Sequence, residues 1–189
     1  LAYLNIARKW FTVSDLKNIY QRKIGYGKIG GKSAGMMLAY RILLEAAPAE
    51  VRESIRIPVS YFLASDLYYV FIANNSLQHW SDQKYKPEAQ MRSEYPRIVH
   101  DFVSGKFPED IVERLQEILA EAGKRPLIVR SSSLLEDSFG TSFAGKYSSY
   151  FCPNQGTPER NLKDLTEAIA RVYASCVNPN ALLYRHAKG

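Results

Sequence analysis

The sequence predicts a mixed α+β domain, on three observations. Two long stretches, 109–122 and 158–177, carry apolar residues at helical spacing. Short apolar runs, "PLIVRSS" and "KYSSYFC", lie between them and read as strands. Hydrophobic residues make up 46% of the 189, enough for a core and too many for a disordered chain. Helices and strands alternate irregularly, with no internal repeat and no low-complexity tract.

Residues 1–23 read as an N-terminal extension. Within it Ser14 or Asp15 can cap a short helix, with Leu16, Ile19 and Tyr20 at helical spacing. The stretch "TVSDLKNIYQRK" therefore does not read as a buried strand. Ser33 to Ala47 reads as a helix with Met36, Tyr40, Leu43, Leu44 and Ala47 on one face and Pro48 at its end. "SIRIPVSYFLAS" carries a short strand, after which Ser65 caps a helix through Leu67, Val70, Phe71 and Ile72. Residues 76–106 are polar, and Pro87 and Pro96 break any long helix. They read as short helices in an insertion-like segment. Glu109 to Ala122 is a helix buried along Ile111, Val112, Leu115, Ile118 and Leu119, and Gly123 stops it. Thr157 caps a second helix, Pro158 to Val177, with Leu162, Leu165, Ile169, Val172, Tyr173 and Cys176 inside. Asn178-Pro179 closes it, and "NALLYRHAKG" begins one more helix.

Composition narrows the function classes. The net charge of +6 and pI near 9.2 suit an anionic ligand such as a nucleotide. The basic residues are scattered, with no run of five or more and no nucleic-acid motif, so a solvated surface is expected and no nucleic-acid partner. No stretch approaches the roughly 20 apolar residues that span a membrane. The start, "LAYLNIARKWF", lacks a signal peptide's apolar run, and without an initiator methionine the chain reads as cut from something longer. Cys152 and Cys176 form no metal or redox spacing and read as small buried hydrophobes in a reducing cytoplasm. His79, His100 and His186 read as surface or packing residues. No Asp, Glu and His cluster has metal-ligand spacing, so no metal site is expected within the chain.

Two stretches carry chemistry. In "IGYGKIGGKSAGMM", Ile24 to Met37, Gly25, Gly27 and Gly30 fit a dinucleotide fingerprint, and Gly31-Lys32-Ser33 fits the end of a P-loop. The P-loop's first glycine would fall at Tyr26, and the strand that either motif needs is missing. What remains is local. Glycines let backbone approach an anion, a helix follows, and Lys32 stands at the junction. A plain glycine-rich turn with a solvated lysine fits the same letters.

The other stretch is "RPLIVRSSSLLEDSFGTSFAGKYSSYF", residues 125–151. A buried strand delivers Arg130 to its end, where a guanidinium offers a bidentate phosphate contact. An ion pair with Glu136 or Asp137 is the alternative use of that charge. "GTSFAG", 140–145, is small enough for close backbone approach to phosphates and reads as a mobile flap between two strands.

Together "GGKSAGM", "IPVSYFLASDLYYVF", "VRSSSLLEDSFGTSFAG" and "ALLYR" occur in the order seen in the nucleotide-binding domain of phosphoenolpyruvate synthase and pyruvate phosphate dikinase, and most of residues 24–189 resembles that family. The resemblance implies the first part of an ATP-grasp fold. It implies that Gly30, Gly31, Lys32 and Arg130 bind ATP phosphates, with Arg130 also catalytic, and that Thr141, Ser142, Phe143, Ala144 and Gly145 belong to a flap closing over them. The second ATP-grasp lobe, expected to hold Mg²⁺, is absent from the chain, as are the phosphohistidine and phosphoenolpyruvate/pyruvate domains that would be its partners. The implied activity is phosphoryl transfer from ATP through a phosphohistidine to pyruvate, with this stretch alone inactive. A glucan or antibiotic acceptor, or a degenerate non-catalytic module, are the alternatives. Departures touch the substrate more than ATP. Ser133-Leu134-Leu135 replaces Ala-Thr-Ala, Ser138-Phe139-Gly140-Thr141 replaces Leu-Pro-Asp-Ala, and "IPVSYF" replaces the Pro-Pro-Gly-Phe turn.

Overall fold

A computed structural model describes residues 2–132 and 147–187. It is mixed α and β, mostly helical, and divides into two compact units. One contains the described residues up to Leu67 together with Ser132; the other contains Tyr68–Ser131 and the described residues from Tyr147 onward.

The first unit opens with α1 (Ala2–Trp10) and α2 (Val13–Gln21). Thr12 caps α2, rather than Ser14 or Asp15. Its hydroxyl accepts from the Asp15 N–H at 3.2 Å, and the Asp15 carboxylate accepts from the Thr12 N–H at 2.8 Å. Asp15 is thus the third helical residue of a capping box, so the helix begins earlier than its apolar spacing indicates. Strand β1 (Lys23–Ile24) pairs in parallel with β2 (Phe62–Leu63). The sequence reading had no strand before the glycines, because two residues are too few to show a period.

Helix α3 (Gly31–Ala46) follows, then the short α4 (Ala49–Ser54). The buried residue of α3 is Leu38, while Met36 and Leu43 on the expected face are 40% and 44% exposed. Apolar side chains surround most of this helix, so spacing alone does not select a face. Arg41 ties the helices together: its guanidinium contacts Asp15 at 3.2 Å, Glu45, and the Trp10 carbonyl. Among the described residues of this unit, the buried apolar set is Ile24, Leu38, Phe62, Ala64 and Leu67.

Helix α5 (Ser65–Asn74) leads into the second unit. There a 3₁₀ helix (Gln78–Tyr85) precedes α6 (Glu88–Val103), which runs through Pro96 instead of breaking. Pro96 is exposed, so water can take the carbonyl that its missing N–H leaves open, while Met91, Ile98 and Phe102 bury the helix on both sides of it. The polar 76–106 stretch therefore supplies core residues. Phe71, Ile72, Leu77, Trp80, Ile98 and Phe102 cluster with Ala170 and Ala174. Phe71 stands 4.6 Å from the Phe107 ring and 5.5 Å from Tyr173 by centroids.

Helix α7 (Glu109–Ala122) has the expected limits and ends at Gly123, where φ is 62°. Strands β3 (Leu127–Arg130) and β4 (Ser149–Cys152) pair antiparallel, Ile128 opposite Phe151. Neither strand is buried on both sides, since Ile128 and Phe151 are 60% and 66% exposed. Helix α8 (Pro158–Ser175), capped by Thr157, packs on α6, α7 and both strands, and α9 (Pro179–Ala187) packs on α6. Cys152 is buried and Cys176, just past the end of α8, is half-buried; neither is in a disulfide. His79, His100 and His186 are exposed.

Truncating Phe102 to alanine is expected to cost about 3–5 kcal/mol, as for other fully buried aromatics. Phe151→Ala is expected to cost less than about 1 kcal/mol. Urea denaturation of the two variants checks the contrast.

Candidate phosphate-binding site

The glycine-rich stretch is organised by two side chains from elsewhere in the first unit. Asp66, in the first turn of α5, accepts from the Tyr26 N–H at 2.8 Å and the Gly27 N–H at 2.9 Å. Ser65 accepts from the Lys28 N–H at 3.2 Å. The first two glycines make this possible. Gly25 has φ of 88°, and a Cβ on Gly27 would lie 2.7 Å from both the Asp66 amide nitrogen and its carboxylate. The amides of this part of the loop therefore already hold a protein carboxylate. Burial pushes the Asp66 carboxyl up, but hydrogen bonds from the amides of Tyr26, Gly27, Asp66 and Leu67 outweigh it and hold the group below its ordinary 3.8. Its negative charge also suits the start of α5.

The third glycine does something different. Gly30 caps α3 in an extended conformation and has no side chain to offer the helix amides. Ser132 supplies the missing acceptor from 99 residues away from Ser33. Its hydroxyl accepts from the Ser33 N–H at 2.9 Å and from the Ser33 hydroxyl at 2.9 Å. Ser33 is the third residue of α3, the position that an N-cap side chain normally serves. A Cβ on Gly30 would fall 1.3 Å from the Ser132 carbonyl oxygen, so only glycine fits this crossing. Gly31 and Lys32 are the first two residues of α3, and Lys32 is half-buried. They combine the positive end of a helix with an ammonium group, an arrangement suited to a phosphate.

Arg130 is the last residue of β3, exposed, and lies opposite Ser149 in register. It precedes Ser132 by two residues. The flap residues Thr141, Ser142, Phe143, Ala144 and Gly145, and the alternative ion-pair partners Glu136 and Asp137, lie outside the described residues. Among the described residues, no group of three His, Cys, Asp or Glu side chains comes together to hold a metal ion. No described helix is long and apolar enough to cross a membrane. A cavity of about 750 Å³ in the second unit, lined in part by Phe107, Val112, Gln116, Leu119, Leu162 and Thr166, is lined by none of the candidate phosphate-binding residues.

Sequence reasoning missed Asp66 and the role of Ser132. A serine among three in a row and an aspartate in a first helical turn carry no spacing signal toward a loop far away in the chain.

The family model of the pyruvate phosphate dikinase AMP/ATP-binding domain matches residues 26–189, from within the glycine-rich loop to the C-terminus. The chain belongs to this family. Phosphoenolpyruvate synthase of Neisseria meningitidis serogroup B is 27% identical over 173 residues, covering 86% of the chain and 20% of that protein. Rifampicin phosphotransferase of Streptomyces sviceus is 28% identical over 186 residues, covering 94% of the chain and 19% of that protein. The chain thus spans about one fifth of the length of these relatives. No solved structure matches it.

Loss of the Asp66 charge is expected to loosen the glycine loop. With the folded carboxyl held low, its contribution is present above the ordinary pKa near 3.8 and is lost as pH falls through the lower folded value. Asp66→Asn should therefore lower the melting temperature at pH 7 and flatten the fall in stability below about pH 4. Parallel thermal melts of both proteins across that range check it; identical profiles would show that the carboxylate is not holding the loop.

Proposed function

We propose that this chain is the phosphate-binding part of the ATP site of a phosphoenolpyruvate synthase-like phosphotransferase, built as the first lobe of an ATP-grasp fold. The observation that carries the proposal is the Gly30-Gly31-Lys32 start of α3, held at Ser33 by Ser132 just beyond Arg130, all within the stretch that the ATP-binding family matches. Lys32 neutralises phosphate charge as a compact cation, and Arg130 takes phosphate oxygens through its planar fork. The amides of Gly30 and Gly31 add donors at the positive helix end, and Thr141 to Gly145 close over the nucleotide. Cationic and backbone donors of this kind stabilise the charge that develops as a phosphoryl group leaves ATP.

Bound Mg²⁺ supplies further neutralisation at the phosphates. Its carboxylate ligands are assigned to the second lobe. The whole enzyme works in the cytoplasm and passes the phosphoryl group through a histidine on another domain to pyruvate.

A second acceptor is favoured by one observation. Similarity to the rifampicin phosphotransferase is as high as that to the synthase and covers more of the chain, 94% against 86%. An antibiotic acceptor is therefore the competing reading, with the nucleotide chemistry unchanged.

Assay of the full-length protein with ATP and Mg²⁺ separates the two: phosphoenolpyruvate from pyruvate supports the first, phosphorylated rifampicin the second. Arg130→Ala is expected to lower turnover by about 2–4 kcal/mol of transition-state stabilisation, roughly 30- to 1000-fold. The 189-residue chain alone is expected to turn over no ATP. Unchanged turnover in Arg130→Ala would remove it from the site.

A further inference from the structure

We infer that Ser132 is a positioning residue for the phosphate site, acting through the start of α3 and hence through Lys32. The inference rests on the reading of Lys32 as a phosphate ligand. It concerns a residue that touches no phosphate in that reading.

Three observations point the same way. The cap residue Gly30 offers no side chain, so the third amide of α3 needs an acceptor from outside the helix. The Ser132 hydroxyl is that acceptor, and it also accepts a hydrogen bond from the Ser33 hydroxyl, with both distances 2.9 Å. The Ser132 carbonyl lies where a Gly30 Cβ would stand, so the backbone of the two segments is in direct contact. Ser132 therefore fixes both the entry to the helix and its first turn. Lys32 lies between these two fixed points, Gly30 on one side and Ser33 on the other.

The physical consequence concerns where the lysine root sits. A flexible ammonium on a loose first turn samples many positions, and binding phosphate must then select one. A turn clamped at the residues before and after restricts the Lys32 backbone before ligand arrives. It also keeps the first-turn amides aligned with the helix axis, which concentrates their positive end on one point. The Ser33 amide is occupied by Ser132, so Ser33 serves the clamp, leaving phosphate binding to Gly30, Gly31 and Lys32.

The test is a double-mutant cycle in the full-length protein, with ATP affinity read by titration calorimetry and folding by thermal melts. Lys32→Met is expected to weaken ATP at least tenfold. Ser132→Ala is expected to weaken it about fivefold, the scale of one hydrogen-bonded contact. In the Lys32→Met background Ser132→Ala should have little further effect, because its influence passes through the lysine. Ser132→Thr, which keeps the hydroxyl, should recover most of the affinity. A Ser132→Ala loss of the same size in both backgrounds, or no loss at all, overturns the positioning role and leaves Lys32 in place. Unchanged affinity in Lys32→Met instead overturns the reading of the lysine itself. If Ser132→Ala fails to fold, Ser33→Ala carries the cycle, since it removes only the contact between hydroxyls. A loss of about twofold that vanishes in Lys32→Met supports the clamp, and one that persists there overturns it.

Discussion

A helix that starts on glycine has no side chain of its own for its third amide, and in the first unit a serine 99 residues further along the chain meets that need. Gly30 cannot cap α3, so Ser132 does. For its hydroxyl to reach Ser33, the Ser132 backbone must cross Gly30 at a distance that excludes any Cβ. The glycine is thus both the source of the need and the condition for meeting it. An N-cap serine at position 30 would satisfy the amide locally, but its Cβ would collide with the segment that now crosses there.

The same logic divides the loop into two parts. The glycines at 25 and 27 let backbone close on Asp66, whose carboxylate takes two loop amides. That part is satisfied internally by an anion of the protein. Gly30 and Gly31 introduce a helix whose positive end carries Lys32. A pattern that resembles a phosphate cradle over its full length thus has a structural half and a half suited to a ligand. Letters cannot separate the halves, because glycine is required in both for close approach of backbone.

Legibility followed the length over which a signal repeats. Helix α7 was read to its exact ends, since five apolar residues over four turns define a face and Gly123 closes it. Helix α8 was similarly clear, with Thr157 at its start, although it ends at Ser175 rather than Val177. Strand β1 has two residues and no period. Helix α3 is apolar on most sides, so its buried Leu38 was hidden among equals. Pro96 suggested a break, but the burial of Met91, Ile98 and Phe102 outweighs the one hydrogen bond lost on an exposed face. The placement of Lys32 at the start of α3 and of Arg130 at the end of β3 was legible, because charge at the end of an element has a local meaning. Asp66 and Ser132 were not, because their partners are 39 and 99 residues away.

The two units are stabilised in different ways, and the difference bears on where a ligand site can sit. In the second, a cluster of aromatic and aliphatic side chains is sealed around Phe71, Ile98 and Phe102. Among the described residues of the first, few apolar side chains are buried, and polar ties stand at specific places: Arg41 with Asp15, Asp66 with the loop amides, Ser132 with Ser33. Apolar packing tolerates exchange among side chains of similar volume, whereas a hydrogen bond across a glycine crossing does not. A segment ordered in that way is specific in geometry but modest in local stability, as binding elements are. Lys32 therefore lies where a bound anion would add to the order of the unit, since any ligand that prefers the folded arrangement stabilises it by an amount that grows with its concentration relative to its Kd.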